Sequence, residues 1–128
     1  FYQMAHAALS ENGLVVTQSG SPYFATAAFQ SIEKTMKSPG FQVVSFHNQV
    51  LSLGEWGWTL GSKTQSGLKH KLAQISFDGV ETQWLNTEAM QMMLSFGKPY
   101  VSLEKVEINT IDNPVIYRLY NQGNYQLN

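Results

Sequence analysis

The short connection between two strand-like segments places the strongest constraint on the fold of this chain. Residues 41–47 and 56–62 are both rich in residues that favour strands, and only the seven residues 48–54 lie between them. A parallel crossover needs about a dozen residues or more, so the two strands must pair antiparallel. The sequence therefore predicts a sheet whose last strand runs antiparallel to its neighbour.

The second of these strands belongs to the run Gly54-Glu55-Trp56-Gly57-Trp58-Thr59-Leu60-Gly61-Ser62-Lys63. Trp56, Trp58 and Leu60 share one face of a strand at period two. The three glycines of the run remove side chains where another part of the backbone, or a ligand, can approach closely. A sandwiched core strand and a ligand-binding strand both fit this pattern.

Upstream of these strands the pattern is helix, strand, helix. Residues 1–11 have apolar side chains at helical spacing, and 14–17 form the short apolar run typical of a strand covered on both faces. Residues 22–37 form an amphipathic helix with Ser21 as its predicted N-cap. This order indicates an α/β layered fold. Gln18 follows the strand at its carboxyl end, where open α/β sheets bind ligands.

The second half of the chain has weaker patterns. Asn86 is predicted to cap a short helix whose apolar face is formed by methionines and Leu94, whereas residues 68–80 fit no single element. The chain ends in an aromatic, polar tail. We divide one partial domain into a sheet-and-helix core, residues 1–63, and a C-terminal extension, residues 64–128.

Composition narrows the classes of function. Charged residues make up 13% of the chain, against about a quarter in a typical soluble domain, which indicates that part of the surface is covered by something else. The net charge of −1 provides no basic surface for nucleic acid. Cysteine is absent, which fits the cytoplasm, and no apolar run is long enough to span a membrane.

Two common kinds of site are not predicted. The three histidines have no carboxylate at ligand spacing, which argues against a metal site. Gly61-Ser62-Lys63-Thr64 lacks the glycine spacing of a phosphate-binding loop. Glu55 is the one carboxylate in an apolar setting, and we expect it to be salt-bridged or to face solvent.

The order and spacing of the motifs resemble the polyamine aminopropyltransferase, or spermidine synthase, family. Residues 13–18 are similar to the family's strand ending in glutamine, and Ser21-Pro22 is similar to the pair that opens its next helix. The run 54–62 resembles the family's Gly-x-Trp-Gly-Phe-x-x-(Gly/Ala)-Ser, and 106–115 looks like the closing segment of its long, membrane-associated branch. The resemblance implies the C-terminal half of a Rossmann-like, methyltransferase-type sheet with an antiparallel last strand.

This resemblance also implies a reaction. The family transfers an aminopropyl group from decarboxylated S-adenosylmethionine, its co-substrate, to a diamine such as putrescine, and methylthioadenosine is the by-product. The family's catalytic aspartate and Gly-rich nucleotide loop correspond to positions before Phe1, so we expect no catalytic residue in this chain and no activity from it alone. We also expect a longer parent protein and self-association of this chain as a homo-oligomer through an exposed strand edge; the long branch of the family carries membrane helices at its N-terminus, so the resemblance is compatible with a membrane-attached parent on the cytoplasmic face of the inner membrane.

Four positions correspond to the amine side of the family's pocket. Gln18 matches the family's glutamine at the strand end, and Trp56 matches a pocket tryptophan. Gly20 stands where the family has glutamate, and Leu51 stands where it has tyrosine. The loss of an acid and a phenol removes polar contacts with a diamine.

Two other functions fit the same fold. One is a non-catalytic binding or assembly module, in which Gly20 and Leu51 mark a decayed site. The other is an S-adenosylmethionine-dependent methyltransferase. Upstream sequence discriminates aminopropyl transfer from the binding module: a Gly-rich nucleotide loop with an Asp-Ser-x-Asp run favours transfer, and its absence favours the module.

Overall fold

The computed structural model describes residues 1–64, 66–97 and 103–122. These ranges contain three strands, five helices and one short 3-10 turn. The elements are α1 Tyr2–Ala8, β1 Leu14–Gly20, α2 Thr26–Lys37, β2 Gln42–Val50, β3 Gly54–Ser62, α3 Leu68–Ala73, α4 Thr87–Met93, the 3-10 turn Leu103–Lys105 and α5 Val115–Gln122.

The strands form one sheet in the order β1-β3-β2. β3 is antiparallel to both neighbours, so β1 and β2 run parallel to each other on either side of it. The predicted antiparallel pairing of β2 and β3 is confirmed. Both strands are longer than predicted, and the turn between them is reduced to residues 51–53.

The two faces of β3 have different neighbours. The tryptophan face is partly buried, whereas Gly57 and Gly61 on the opposite face are buried under α2. A side chain at Gly57 would overlap the ring of Phe29, and one at Gly61 would crowd the Met36 sulfur and the Phe41 ring. These two glycines therefore make room for side chains of α2 and of the segment after it, and not for a ligand.

α2 begins four residues later than predicted. Regular helix starts at Thr26, because Ala25 has φ −122° and ψ 45°, outside the helical range. The residues before it form a turn in which Ser21 Oγ accepts the backbone N–H groups of Tyr23 and Phe24, at 3.3 and 3.2 Å. Ser21 therefore acts as a cap, as predicted, but it caps this turn and not α2 itself.

Among the described residues, the helices that follow the sheet cover its tryptophan face on the β2 side. Val44 of β2 packs with three residues of the helical region that follows, Leu68, Met90 and Leu94, in the main apolar cluster. Asn86 caps α4 as predicted, because its side chain accepts the backbone N–H of Ala89 at 2.8 Å. The segment that fitted no single element contains α3.

The prediction that β1 is covered on both faces is wrong for this chain. Leu14 is 50% exposed and Val16 is 57% exposed. Among the described residues β1 pairs with β3 alone, so its other side is free, and α3 and α4 lie over β2 instead. None of the helices within the described ranges has both the length and the apolar character that a membrane crossing requires.

Candidate functional site

The carboxyl ends of β1 and β2 meet the start of β3 at one edge of the sheet. The register of the ladders places Gly20 beside Gly57 and Gln49 beside Glu55. Open α/β sheets bind ligands outside the carboxyl ends of their parallel strands. We call this surface the carboxyl edge; it consists of residues 18–21, 47–50 and 54–57.

Gln18 and Trp56 lie on the same face of the carboxyl edge. Gln18 is opposite Trp58 in the ladder, and paired residues place their side chains on one face. Trp56 shares that face because it is two residues away on the same strand. Trp58 stacks on Phe46, with ring centroids 5.8 Å apart and an interplanar angle of 17°. Two residues predicted for the amine pocket are therefore close neighbours on one aromatic surface.

The indole of Trp56 has a further property. Its Nε1 atom is buried, and within the described ranges it has no hydrogen-bond partner. A buried donor without an acceptor costs about 1–3 kcal/mol.

Gly20 ends β1 with a left-handed backbone, at φ 74°. The ladder shifts register between Gln18 and Gly20, and the Ser19 side chain turns to Thr59, with its Oγ 2.7 Å from Thr59 Oγ1. A side chain at position 20 would overlap the hydroxyl of Tyr120. That hydroxyl donates to the Ser19 carbonyl oxygen at 3.2 Å. A phenol from α5 therefore occupies the space beside Gly20.

Sequence reasoning missed Tyr120 because it treated α5 as a tail. The available signal was the spacing of Val115 with Leu119 and of Ile116 with Tyr120, which puts each pair on one face of a helix. The part of the predicted tail beyond α5 lies outside the described residues.

Leu51 is not brought to the other predicted residues. It lies in the turn between β2 and β3 and is 101% exposed. Gly54, at the end of this turn, has φ 75°, a conformation that glycine adopts without strain. Three of the four predicted positions therefore belong to the carboxyl edge, and the fourth projects into solvent beyond it.

His47 and Glu55 form an ion pair at the β2 side of the carboxyl edge. His47 Nδ1 contacts Glu55 Oε1, and His47 Nε2 is 2.7 Å from the Ser95 carbonyl oxygen. The Ser95 carbonyl oxygen can only accept, so Nε2 is the donor in that contact, and Nδ1 pairs with the carboxyl group. The ring also packs against Tyr23 and Phe96, with centroids 5.5 and 4.4 Å away. Glu55 thus has a partner across the ladder and is 20% exposed, which agrees with the expectation that it is salt-bridged or faces solvent.

This ion pair opens onto a pocket of about 160 Å³. The pocket lies between the end of β2 and α4, and its lining combines one carboxylate, one imidazole, two carboxamides and two thioethers. The lining residues are His47, Asn48, Gln49, Glu55, Met92 and Met93. Sequence reasoning named Glu55 but did not connect it with His47, because a contact across a ladder does not follow from composition. Across the described part of the chain, no group of three or more metal-ligating side chains comes together.

Comparison with known proteins identifies relatives of this chain. The profile of the spermine/spermidine synthase domain matches residues 1–79. The chain is 30% identical over 124 residues to the polyamine aminopropyltransferase of Shewanella oneidensis. This alignment covers 96% of this chain and 22% of that protein. It is 32% identical over 126 residues to polyamine aminopropyltransferase 2 of Aquifex aeolicus, covering 94% of this chain and 23% of that protein. The chain thus spans less than a quarter of the length of these two relatives.

A solved structure agrees with the fold. The crystal structure of spermidine synthase from Thermotoga maritima superposes with a TM-score of 0.60 at 18% identity, over 74% of this chain and 34% of that one. This similarity confirms the predicted α/β fold class.

Proposed function

The chain belongs to the spermine/spermidine synthase domain family, and we propose that the polypeptide carrying it transfers an aminopropyl group from decarboxylated S-adenosylmethionine to a diamine such as putrescine. A primary amine nitrogen attacks the carbon next to the sulfonium sulfur. The new N–C bond forms as the C–S bond breaks, and the sulfur keeps the electron pair and leaves as methylthioadenosine. The product ammonium then releases one proton.

The observation that carries the proposal is the grouping of Gln18 with the tryptophan face at the carboxyl edge. Amines are protonated near neutral pH, so a pocket for them must hold positive charge and keep water away. A tryptophan ring attracts a cation by about 0.5–2 kcal/mol. The Gln18 carboxamide oxygen can accept a hydrogen bond from an ammonium group.

The two positions that depart from the family pattern bear differently on the proposal. Next to Gly20, the Tyr120 hydroxyl keeps a polar group at the strand end. Leu51 supplies no polar contact, and its exposure argues against a role in binding. We assign no catalytic residue to this chain. The proposal therefore concerns the amine side of the reaction.

Two further properties are part of the proposal. We propose that the chain self-associates through the free side of β1, since exposed strand edges with apolar side chains template pairing with another chain. We also propose a cytoplasmic location for the reaction, supported by the absence of cysteine.

The test uses the complete natural polypeptide in which this chain occurs. It is incubated with decarboxylated S-adenosylmethionine and a panel of di- and triamines, and methylthioadenosine is measured by mass spectrometry. Methylthioadenosine that forms only when an amine is present supports the transferase. If no amine gives product from folded protein, the site is a non-catalytic binding module. If S-adenosylmethionine is instead converted to S-adenosylhomocysteine, the protein is a methyltransferase.

Variants connect the activity to the carboxyl edge. Trp56→Ala is expected to raise the KM for the amine about tenfold, because losing the contact between the ring and the cation removes about 1.4 kcal/mol of binding free energy. Gln18→Ala is expected to raise the KM less. Trp84→Ala and Gln74→Ala are matched controls, because Trp84 is 88% exposed and both residues lie away from the sheet. Equal effects of site and control variants would contradict the assignment.

A further inference from the structure

We propose that Glu55, held in place by His47, binds a second ammonium group of the amine substrate in the pocket beside α4. This inference rests on the proposed function, because it assigns the part of an amine that does not react. It makes the preferred substrate a polyamine, with a cationic nitrogen separated by an alkyl chain from the nitrogen that attacks.

The geometry of Glu55 leaves it capacity to bind a cation. One carboxylate oxygen, Oε1, contacts His47, whereas Oε2 has no hydrogen bond to any residue that the structure describes. An ionised carboxylate has about four acceptor sites, so the pair with His47 uses a fraction of them. The Glu55 side chain is 20% exposed, which places it within reach of solvent and of a ligand entering the pocket.

The lining of the pocket favours a cation over an anion. Among the described lining residues the one basic side chain, His47, already pairs with Glu55, and there is no lysine or arginine. Asn48 and Gln49 supply carboxamide oxygens that can accept N–H donors, and the thioethers of Met92 and Met93 provide an apolar wall for methylene groups. An ammonium group on an alkyl chain matches both parts of this lining.

The position of the pocket sets the length of the ligand. Glu55 and Trp56 are consecutive on β3 and point to opposite faces of the sheet, but Asn48, which lines the pocket, is paired with Trp56, so the pocket opens beside the tryptophan face at the same edge. Trp56 on β3 and the pocket lining on β2 are one strand spacing, or about 5 Å, apart. A diamine can therefore hold one nitrogen against Trp56 and the other at Glu55, whereas a monoamine has only one nitrogen to place.

His47 acts through Glu55 and is a positioning residue. Its Nδ1 contacts the Glu55 carboxyl group, and its Nε2 contacts the Ser95 carbonyl oxygen in the segment that follows α4. These two contacts of the imidazole link the start of β3 to the end of α4, the helix whose methionines line the pocket. Without the imidazole, Glu55 would keep its charge and lose its fixed direction.

The first experiment measures binding to the complete natural polypeptide by calorimetry. The probes are 1,4-diaminobutane, spermidine and 1-aminobutane, and the variants are Glu55→Gln and the control Glu88→Gln, an exposed acid on α4. Removing the charge at Glu55 is expected to weaken binding of the two polyamines by about tenfold to a hundredfold. Binding of 1-aminobutane is expected to stay within about twofold, and Glu88→Gln is expected to bind all three as the unmodified protein does.

Equal weakening for all three amines, or no binding of any amine to the unmodified protein, would overturn the proposal.

A second set of variants separates positioning from folding. Glu55→Asp keeps the charge and is expected to retain part of the affinity that Glu55→Gln loses. His47→Gln is expected to raise the KM for the polyamine and leave kcat unchanged, and to have no further effect in the Glu55→Gln background. His70→Gln, at an exposed position on α3, is the control. A lower kcat, or additive effects of the two changes, would show that His47 has only a structural role.

The two proposals fail in different ways. If the polyamines bind through Glu55 but methylthioadenosine never forms, aminopropyl transfer is wrong and the subsite stands. If methylthioadenosine forms and Glu55→Gln leaves the KM of every amine unchanged, transfer stands and the subsite is wrong.

Discussion

Gly20 and Tyr120 show how this chain fills a position that has no side chain of its own. The Tyr120 hydroxyl contacts the carbonyl oxygen of Ser19, 101 residues earlier in sequence. The sequence alone indicated the loss of an acid at residue 20, and the fold places a neutral phenol there instead. A pattern around residue 20 cannot predict this, because the group comes from a helix that docks from the far end of the chain.

Tyr2 provides a residue-scale prediction about pH. Burial raises the pKa of the Tyr2 phenol above its ordinary value of 10.0, and a hydrogen bond with Thr17 opposes that shift. The folded protein therefore holds the neutral phenol more strongly than the unfolded chain does. The resulting stability is complete below pH 10 and is lost as the pH rises through the raised pKa. We expect α1 to detach from β1 in alkaline solution.

The measurement is hydrogen exchange or thermal unfolding of the complete polypeptide across this pH range. Tyr2→Phe removes the titrating group, so its stability is expected to change less above pH 10 than that of the unmodified protein. Tyr117→Phe is the matched control, since Tyr117 is 69% exposed. An unchanged alkaline loss of stability in Tyr2→Phe would contradict the assignment.

At the scale of secondary structure, short-range signals predicted most of the sheet and one helix cap. The short connection identified β2 and β3 as an antiparallel pair, and Asn86 identified the start of α4. The position of α5 was not predictable in this way. The loop before it is fixed by long-range hydrogen bonds, from Ser31 Oγ to the Glu107 carbonyl oxygen at 2.8 Å and from the Asn109 N–H to Thr35 Oγ1 at 2.9 Å. Single-sequence periodicity contains no information about such contacts.

The same limit applies to the candidate site. Gln18 and Trp56 were found because each lies in a recognisable motif at a strand end. The partnership of His47 with Glu55 depends on the register between β2 and β3, and its contact with Ser95 depends on how α4 packs. Strand pairing was predictable, but the register that joins particular side chains was not.

The packing of α2 on β3 leads to a prediction about glycine. Gly57→Ala would force a methyl group against the Phe29 ring and to 3.1 Å from the Gly20 carbonyl oxygen, and neither can yield without moving the sheet. Gly61→Ala meets the Met36 sulfur at 2.9 Å, and a methionine side chain can rotate away. We expect Gly57→Ala to lower the free energy of unfolding by about 2–3 kcal/mol and Gly61→Ala by about 1 kcal/mol.

Urea unfolding followed by tryptophan fluorescence measures this difference, since Trp56 and Trp58 are on the same strand. Phe29→Leu is expected to recover part of the loss in the Gly57→Ala background and to be destabilising alone. Equal losses for the two glycine variants would show that α2 shifts freely over β3.

At the scale of the whole molecule, the free side of β1 is the feature that controls behaviour in solution. Leu14 and Val16 are exposed beside backbone groups that pair with no other strand among the described residues. We expect this chain, expressed alone, to self-associate in a concentration-dependent way. Val16→Lys is expected to reduce the association, because a charged side chain on an edge strand opposes pairing.

Sedimentation velocity over a range of concentrations tests this expectation. Val80→Lys is the control, since Val80 is 62% exposed in a loop away from the sheet. A compact, stable monomer of the unmodified chain would contradict self-association, as would equal behaviour of the two lysine variants.

The position of β3 between β1 and β2 has a consequence for the order in which the protein forms during synthesis. The central strand of the sheet is the last of the three to leave the ribosome, because β3 follows β1 and β2 in sequence. Until Ser62 has emerged, the two outer strands have no hydrogen-bonding neighbour between them, and α2 has no complete sheet to pack on. Non-local pairings of this kind slow folding and leave strand edges exposed until the last strand has been synthesised. A pause in translation before β3 would therefore hold the nascent chain in its most aggregation-prone state, and a pause after β3 would not.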